Sequence, residues 1–365
     1  MFLTVSPIGK SLLLSLEKNQ NRENVDDFLG ISTMSIIQGF LQKSFQSLES
    51  GIILPLGKIA YELVKVAKAH SYVETLGDHA DTLHHWIKRC YEEDFIESFK
   101  DQVKKAVRHL GVGFARLAFD ITAEPFWGKT RNFYIFGTYD ERYDGEFHFI
   151  TVCLLTRNKQ IPVLALPVHL GSITAKLVIE LMDFCLTLFS RIRLAVFDRG
   201  FYIAELIDYL EANHIRYLML VPQRGKVFTQ YVVEGGVFGK FRHELSYCKK
   251  KSRWKPKTTI VICKDLDKSF SWIFATNIRF NTRCEYLWHY RKRWQIETNY
   301  RVEDESRIKS KSCSYLIRYF YFLISLVLHV LWIVNKNLHY YVPFKKYLDL
   351  IEQKLLHNYL EIEPM

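Results

Sequence analysis

The chain has 365 residues, of which 48% are hydrophobic and 24% charged, with 17 Gly and 9 Pro. Such a balance describes two or three domains with sizeable cores, and excludes a disordered chain, a collagen and a mini-protein. Lys and Arg outnumber Asp and Glu by 50 to 39, a formal charge of +11, which suits a polyanionic partner such as nucleic acid or an anionic membrane surface.

The first twenty residues hold too few early positive charges and too broken an apolar run for a signal peptide. From Val25 to about Leu110 the pattern is helical: Phe28, Ile36, Phe40, Ile59, Leu63, Val66, Phe95, Phe99 and Val103 recur at three-to-four spacing. Breaks at 51–55 and at Gly77 and Asp78 divide this part into about four helices. Strand-like runs follow at 114–119, 132–139, 147–155 and 161–166. A helix is predicted over 172–190 with Ser172 as its cap, then strand 193–197, helix 203–212 and strand 217–221. Consecutive strands followed by strand–helix alternation predict an α/β protein, with a mixed sheet flanked by helices.

Residues 223–283 interrupt the alternation with β-rich, Gly- and Lys-rich sequence that reads as an inserted small sheet, including the run VFTQYVVEGG. Its cluster Lys249, Lys250, Lys251, Arg253, Lys255 and Lys257, with Trp254 between, is either a surface hairpin tip or a DNA contact. Helix resumes near Cys284 and runs to Asn337 with a break at 306–314, and a last amphipathic helix and tail fill 340–365. The apolar stretch 319–334 is short for a membrane span and carries His329, so it reads as a buried core helix. The seven cysteines (Cys90, Cys153, Cys185, Cys248, Cys263, Cys284 and Cys313) are widely spread without a C-x-x-C pair, and read as buried thiols of a reducing cytoplasm. The domains expected are a helical region (1–110) whose Lys and His residues suit DNA binding, an α/β domain in two pieces (111–222 and 284–337), a β-rich insertion (223–283) and a C-terminal helix and tail (338–365).

Two aspartates share one setting. Asp120 ends GFARLAFD and Asp198 ends RIRLAVFD, and ligand sites of such sheets gather at the carboxyl ends of strands. A turn or helix cap at Asp198 is the plainer alternative. Downstream, Tyr290, Arg293, Glu297 and Arg301 fall within about 80° of one helical face, which places a carboxylate between cations and a phenol. The same spacing also suits surface ion pairs four residues apart.

These segments resemble a known family. AFDITAEPFWGK around Asp120, VFDRGFY around Asp198 and YRKRWQIETNYR around Glu297 are similar, in order and spacing, to the motifs of DDE transposases of the IS4-like insertion-sequence superfamily. The likeness covers about 111–331. It implies a ribonuclease H-like catalytic domain with a β-rich insertion. The third motif follows the family's Tyr, Arg, Glu spacing, but Asp304 stands where the family has Lys, with Arg307, Lys309 and Lys311 nearby. That departure leaves open a catalytically inactive, domesticated DNA-binding descendant.

If Asp120, Asp198 and Glu297 converge, they can hold two Mg²⁺ ions, for which Mn²⁺ substitutes, and support in-line phosphoryl transfer. Tyr290, Arg293 and Arg301 would then position the scissile phosphate. Lys129, Arg131, Arg199 and Lys309 would neutralise other phosphates, or remain solvated cations. The resemblance implies double-stranded DNA as partner, both element ends and target, and a homodimer that pairs two ends. Prokaryotic cytoplasm at the nucleoid is the expected location, with no membrane. Two further readings are weaker: an aspartyl-phosphate phosphatase built on Asp120, whose usual second acid is here Thr122, and a membrane protein built on 319–334.

Overall fold

The computed structural model describes residues 33–48, 55–156, 160–245, 247–249, 252–264, 270–294, 304–338 and 342–362. Four helices come first: α1 (Thr33–Ser44), α2 (Leu56–Lys68), α3 (Asp78–Arg89) and α4 (Glu92–Leu110). Gly77, at φ 59°, turns the chain into α3, a left-handed conformation that costs glycine little. Glu92, Glu93 and Asp94 sit at the positive end of α4, and Gly111 closes that helix at φ 62°.

The sheet then begins with β1 (Phe114–Phe126), β2 (Ile135–Phe136), β3 (Gly145–Leu155) and β4 (Gln160–Val168), followed by α5 (Thr174–Leu188), β5 (Arg191–Phe197), α6 (Ala204–Ala212) and β6 (Tyr217–Leu220). After α7 (Lys226–Gly235) come β7 (Phe238–Glu244), β8 (Tyr247–Lys249), β9 (Ser252–Trp254), β10 (Lys257–Lys264) and β11 (Ser271–Thr276). Three helices complete the order: α8 (Arg283–Arg291), α9 (Tyr315–Leu338) and α10 (Phe344–Ile362).

Nine strands form one mixed sheet, in which β4, β3 and β1 pair antiparallel while β5 and β6 run parallel to β1. The strands of the 223–283 segment do not stand apart. β11 pairs with β6, β10 with β11, and β7 with β10, and only β8 and β9 form a separate pair. Strand β6 would otherwise present a row of unpaired backbone groups, and the antiparallel extension satisfies them.

Helix α9 is the longest apolar helix among the described residues, and it is buried along nearly its whole length by the rest of the chain. Phe320 is ringed by Phe40, Phe45 and Phe95 at 5.2–5.9 Å, and Phe322 stacks on Phe149 of β3 at 4.4 Å. Offset aromatic pairs of this kind each add about 0.5–1.5 kcal/mol to simple burial. His329 is wholly buried against Trp332 and Phe344. The helix therefore ties the N-terminal helices to the sheet, as a core helix does.

Several local expectations differ from the structure. Asp120 lies inside β1 rather than at its end, because β3 goes on pairing with β1 as far as Phe126 after β5 has stopped at Phe197. Past that point β1 pairs with β3 only, among the described residues, so the missing N–H of Pro125 is tolerated. The run VFTQYVVEGG is mostly helix α7, although its β-branched residues favour strand. Phe228 and Tyr231 recur at helical spacing, and Tyr231 stacks on Phe241 of β7 at 4.5 Å. Only Ile135 and Phe136 of the run 132–139 form strand. Ser172 does not cap α5; its hydroxyl accepts from the His169 N–H at 2.9 Å and closes the preceding turn. Cys90, Cys153, Cys185 and Cys263 are buried, but Cys284 and Cys313 are exposed.

Candidate functional site

Strand register assembles the site. In the parallel β1–β5 ladder, Ala118 pairs with Val196 and Phe119 with Phe197, so Asp120 and Asp198 each follow the last pair. Side chains alternate along a strand, which puts Arg116, Ala118 and Asp120 on the face that carries Leu194, Val196 and Asp198. Beneath the acids, Phe119 and Phe197 stack at 4.6 Å on the opposite face and fix the two strand ends side by side.

Helix α8 covers the acidic face. Tyr286, Leu287 and Tyr290 pack with Leu194, Val196, Leu220 and Phe274 in one apolar cluster. Its start is set by a capping box: the Thr282 hydroxyl accepts from the Glu285 N–H, and Glu285 Oε2 accepts from the Thr282 N–H at 3.0 Å. The Tyr286 hydroxyl donates to the Ile278 carbonyl and accepts from the Phe280 N–H, both at 3.0 Å. The helix is thus held at its N-terminal end while Tyr290 and Arg293 point at the acids from the other.

The α-helix stops at Arg291 and continues as a 3₁₀ turn, Lys292–Trp294. In that tighter winding side chains three apart eclipse one another, so Tyr290 and Arg293 reach the same place. The Tyr290 hydroxyl donates to Asp198 Oδ1 at 3.1 Å. Arg293 Nη1 lies 3.4 Å from Asp120 Oδ2, and Nη2 lies 3.8 Å from Asp198 Oδ2. One guanidinium therefore faces both aspartates. Asp198 also performs the local task named as its alternative, capping the turn Arg199–Phe201 through the Arg199 N–H at 2.7 Å.

Burial sets the electrostatics. The Arg293 side chain is 6% exposed, against 19% for Asp120 and 34% for Asp198. Burial opposes the charged guanidinium, but Tyr290, Asp198 and Asp120 more than offset it and hold the Arg293 pKa above its usual value. Burial also pushes the Tyr290 phenol well above its ordinary range, so it remains a hydrogen-bond donor at neutral pH. On the preceding turn, His289 is held neutral, its pKa lowered to about 4 by burial and by Arg116 and Lys292.

Glu297 and Arg301 lie outside the described residues, as do the ion pairs expected around them. Among the described residues, no group of three or more His, Cys, Asp or Glu side chains could hold a metal ion. Asp120 and Asp198 nevertheless suit one, since they are two hard oxygen donors turned toward a shared cationic group. Lys129 and Arg131 are exposed on the segment joining β1 to β3, beyond the acids, and Arg199 is exposed beside Asp198. Lys309 is bound through its backbone to Ser71 and Val73 of the helical region. Asp304 pairs with Arg307 at 2.5 Å.

Sequence reading missed two features. Trp288, 52% exposed, carries the Lys292 ammonium 3.7 Å from its ring centroid and the Arg116 guanidinium at 6.0 Å. These residues are far apart in sequence or read singly as helix surface, so only the register of β1 against α8 joins them. The second is a buried ion pair, Arg318 Nη1 to Glu124 Oε1 at 3.1 Å. Arg318 also donates to the carbonyls of Pro125 at 3.2 Å and Ser312 at 3.0 Å, fixing the start of α9 to the far end of β1.

No family model matches the chain, and no curated protein matches it by sequence. A cryo-EM structure of the piggyBac transposase synaptic complex with hairpin DNA superposes with a TM-score of 0.56 at 12% identity, covering 92% of this chain and 80% of that one. Likeness at this identity is likeness of fold. The fold class is the expected ribonuclease H-like α/β one, a mixed sheet flanked by helices.

Proposed function

We propose that this chain is a metal-dependent DNA transposase that cleaves the ends of a mobile element and joins the freed 3′-hydroxyl to target DNA. The observation that carries the reading is the meeting of Asp120 and Asp198 beneath Arg293, where the parallel pairing of β1 with β5 ends. The shared fold supports it, because the protein of similar fold is a transposase in complex with hairpin DNA. The motif resemblance to the IS4-like superfamily supplies the finer family assignment.

In this reading Asp120, Asp198 and Glu297 would hold two Mg²⁺ ions, and the chemistry such ions would supply when bound is activation of a water or 3′-hydroxyl and stabilisation of the leaving oxygen. Arg293 and Arg301 clamp phosphate oxygens, and Tyr290 orients Asp198. Lys129, Arg199 and Lys309 neutralise flanking phosphates, and Trp288 with Lys292 offers an exposed ring and charge for an unpaired base. The helical region and the 223–283 segment read the element ends, two copies pair them, and the work takes place at the nucleoid of a prokaryotic cell.

The test is a nicking and strand-transfer assay with Mg²⁺ or Mn²⁺ on DNA carrying the inverted repeats that flank the coding region. Wild type is expected to nick or join, and Asp198→Asn to lose that activity while still binding DNA. Equal activity in the variant would remove the metal site. A catalytically inactive DNA-binding protein is the second reading, favoured by Asp304 and its pairing with Arg307; wild type that binds but never nicks would establish it.

A further inference from the structure

The two aspartates present their oxygens in the same way. Asp120 Oδ1 accepts from the Ile121 N–H at 3.0 Å and Asp198 Oδ1 from the Arg199 N–H at 2.7 Å, in each case the next residue's backbone. In both, Oδ2 is the oxygen that faces Arg293. One oxygen of each acid is thus held by the chain, and the other is turned toward a positive charge.

That charge stands where a metal would have to bind. Neighbouring carboxylates repel unless a cation lies between them, and here the guanidinium fills that place. Its contacts, 3.4 Å and 3.8 Å, are long beside the roughly 2.7–2.9 Å of tight charge-assisted bonds. Toward the two acids it makes one long hydrogen bond, to Asp120 Oδ2, and a looser ion pair with Asp198, so a partner that offers shorter, paired bonds competes for it. A divalent ion needs such oxygens at about 2.0–2.1 Å, and a buried guanidinium a few ångströms off would oppose it strongly at low dielectric. A DNA phosphate is a partner that a guanidinium binds through two parallel hydrogen bonds. When Arg293 turns to it, the backbone N–H groups and the Tyr290 hydroxyl keep both acids in place.

Building on the transposase reading, we infer that Arg293 is a built-in counter-cation that bridges Asp120 and Asp198 in the free chain and is released by DNA phosphate, making metal affinity depend on bound DNA. The chain without DNA is then guarded against loading metal and against unprompted cleavage.

The experiment measures Mn²⁺ binding by the full chain, with the free ion followed by electron paramagnetic resonance, with and without a duplex oligonucleotide. Wild type is expected to bind Mn²⁺ at least about tenfold more tightly with DNA present. Arg293→Gln is expected to bind tightly without DNA and to gain little from it. Arg293→Lys, whose single ammonium cannot span both acids, should fall between, and it decides the matter if circular dichroism shows Arg293→Gln unfolded. Folded variants that bind no more tightly than wild type without DNA would overturn the inference while leaving the metal site intact. Unchanged Mn²⁺ binding in Asp198→Asn, or no binding by wild type in any condition, would instead remove the metal site and the inference with it.

Discussion

Arg318 and Glu124 show what one buried pair can demand of a fold. Both side chains are nearly inaccessible, and the guanidinium lies 5.6 Å and 5.2 Å from the rings of Phe126 and Phe147. Burial raises the Glu124 pKa, with Arg318 working against that rise. Removing the cation alone strands a carboxylate, a loss of about 3–5 kcal/mol, whereas replacing both partners by neutral side chains of similar volume costs far less. Arg318→Ala is therefore expected to lower the urea midpoint sharply, and Glu124→Gln combined with Arg318→Met to recover most of it. Asp120 and Asp198 are placed differently: they are partly exposed, as groups that must meet a ligand have to be.

At the scale of elements, α4 and α9 share a pH-sensitive contact. Glu92 in the first turn of α4 has its pKa raised to about 7, first by burial and then by Glu93 and Glu180, while a hydrogen bond with Tyr315 at the start of α9 acts the other way. The folded value exceeds the ordinary 4.5, so protonated Glu92 favours the fold. Its contribution is complete below about 4.5 and lost as pH rises through about 7. Melting curves should show wild type losing stability from pH 5 to pH 8, and Glu92→Gln losing less. Among elements, those with an unambiguous period were legible. The helices of 33–110 and strands β3 to β6 follow from apolar spacing that depends on near neighbours. Helix α7 was not, because Val227, Thr229, Val232 and Val233 favour a strand by side-chain shape, whereas the helix is held by a distant contact, Tyr231 against Phe241 of β7.

For the molecule as a whole, the excess of positive charge predicts how it meets DNA. If several of the 50 Lys and Arg residues neutralise phosphates, counterion release makes affinity fall by about a thousandfold or more between 50 and 200 mM salt for six or more contacts. Filter binding or fluorescence anisotropy across that range is expected to give a steep linear slope in log–log form, and a flat response would contradict an electrostatic footprint. The extended sheet matters at this scale too. With β7, β10 and β11 continuing it beyond β6, these three strands of the 223–283 segment are hydrogen-bonded into the same sheet as the strands that carry the acidic pair.

Sequence alone determined the kinds of element and their order, the burial of 319–334, and the choice of Asp120, Asp198, Tyr290 and Arg293 as residues to watch, because periodicity and short motifs are carried by neighbours in the chain. Tertiary structure decided that β1 runs past Asp120, that β11 joins β6, and that one guanidinium faces two carboxylates from residues 173 and 95 positions away along the chain. Which strand edge is open, and which charges share a low-dielectric space, depends on how distant segments pack, and no local pattern of side chains records that.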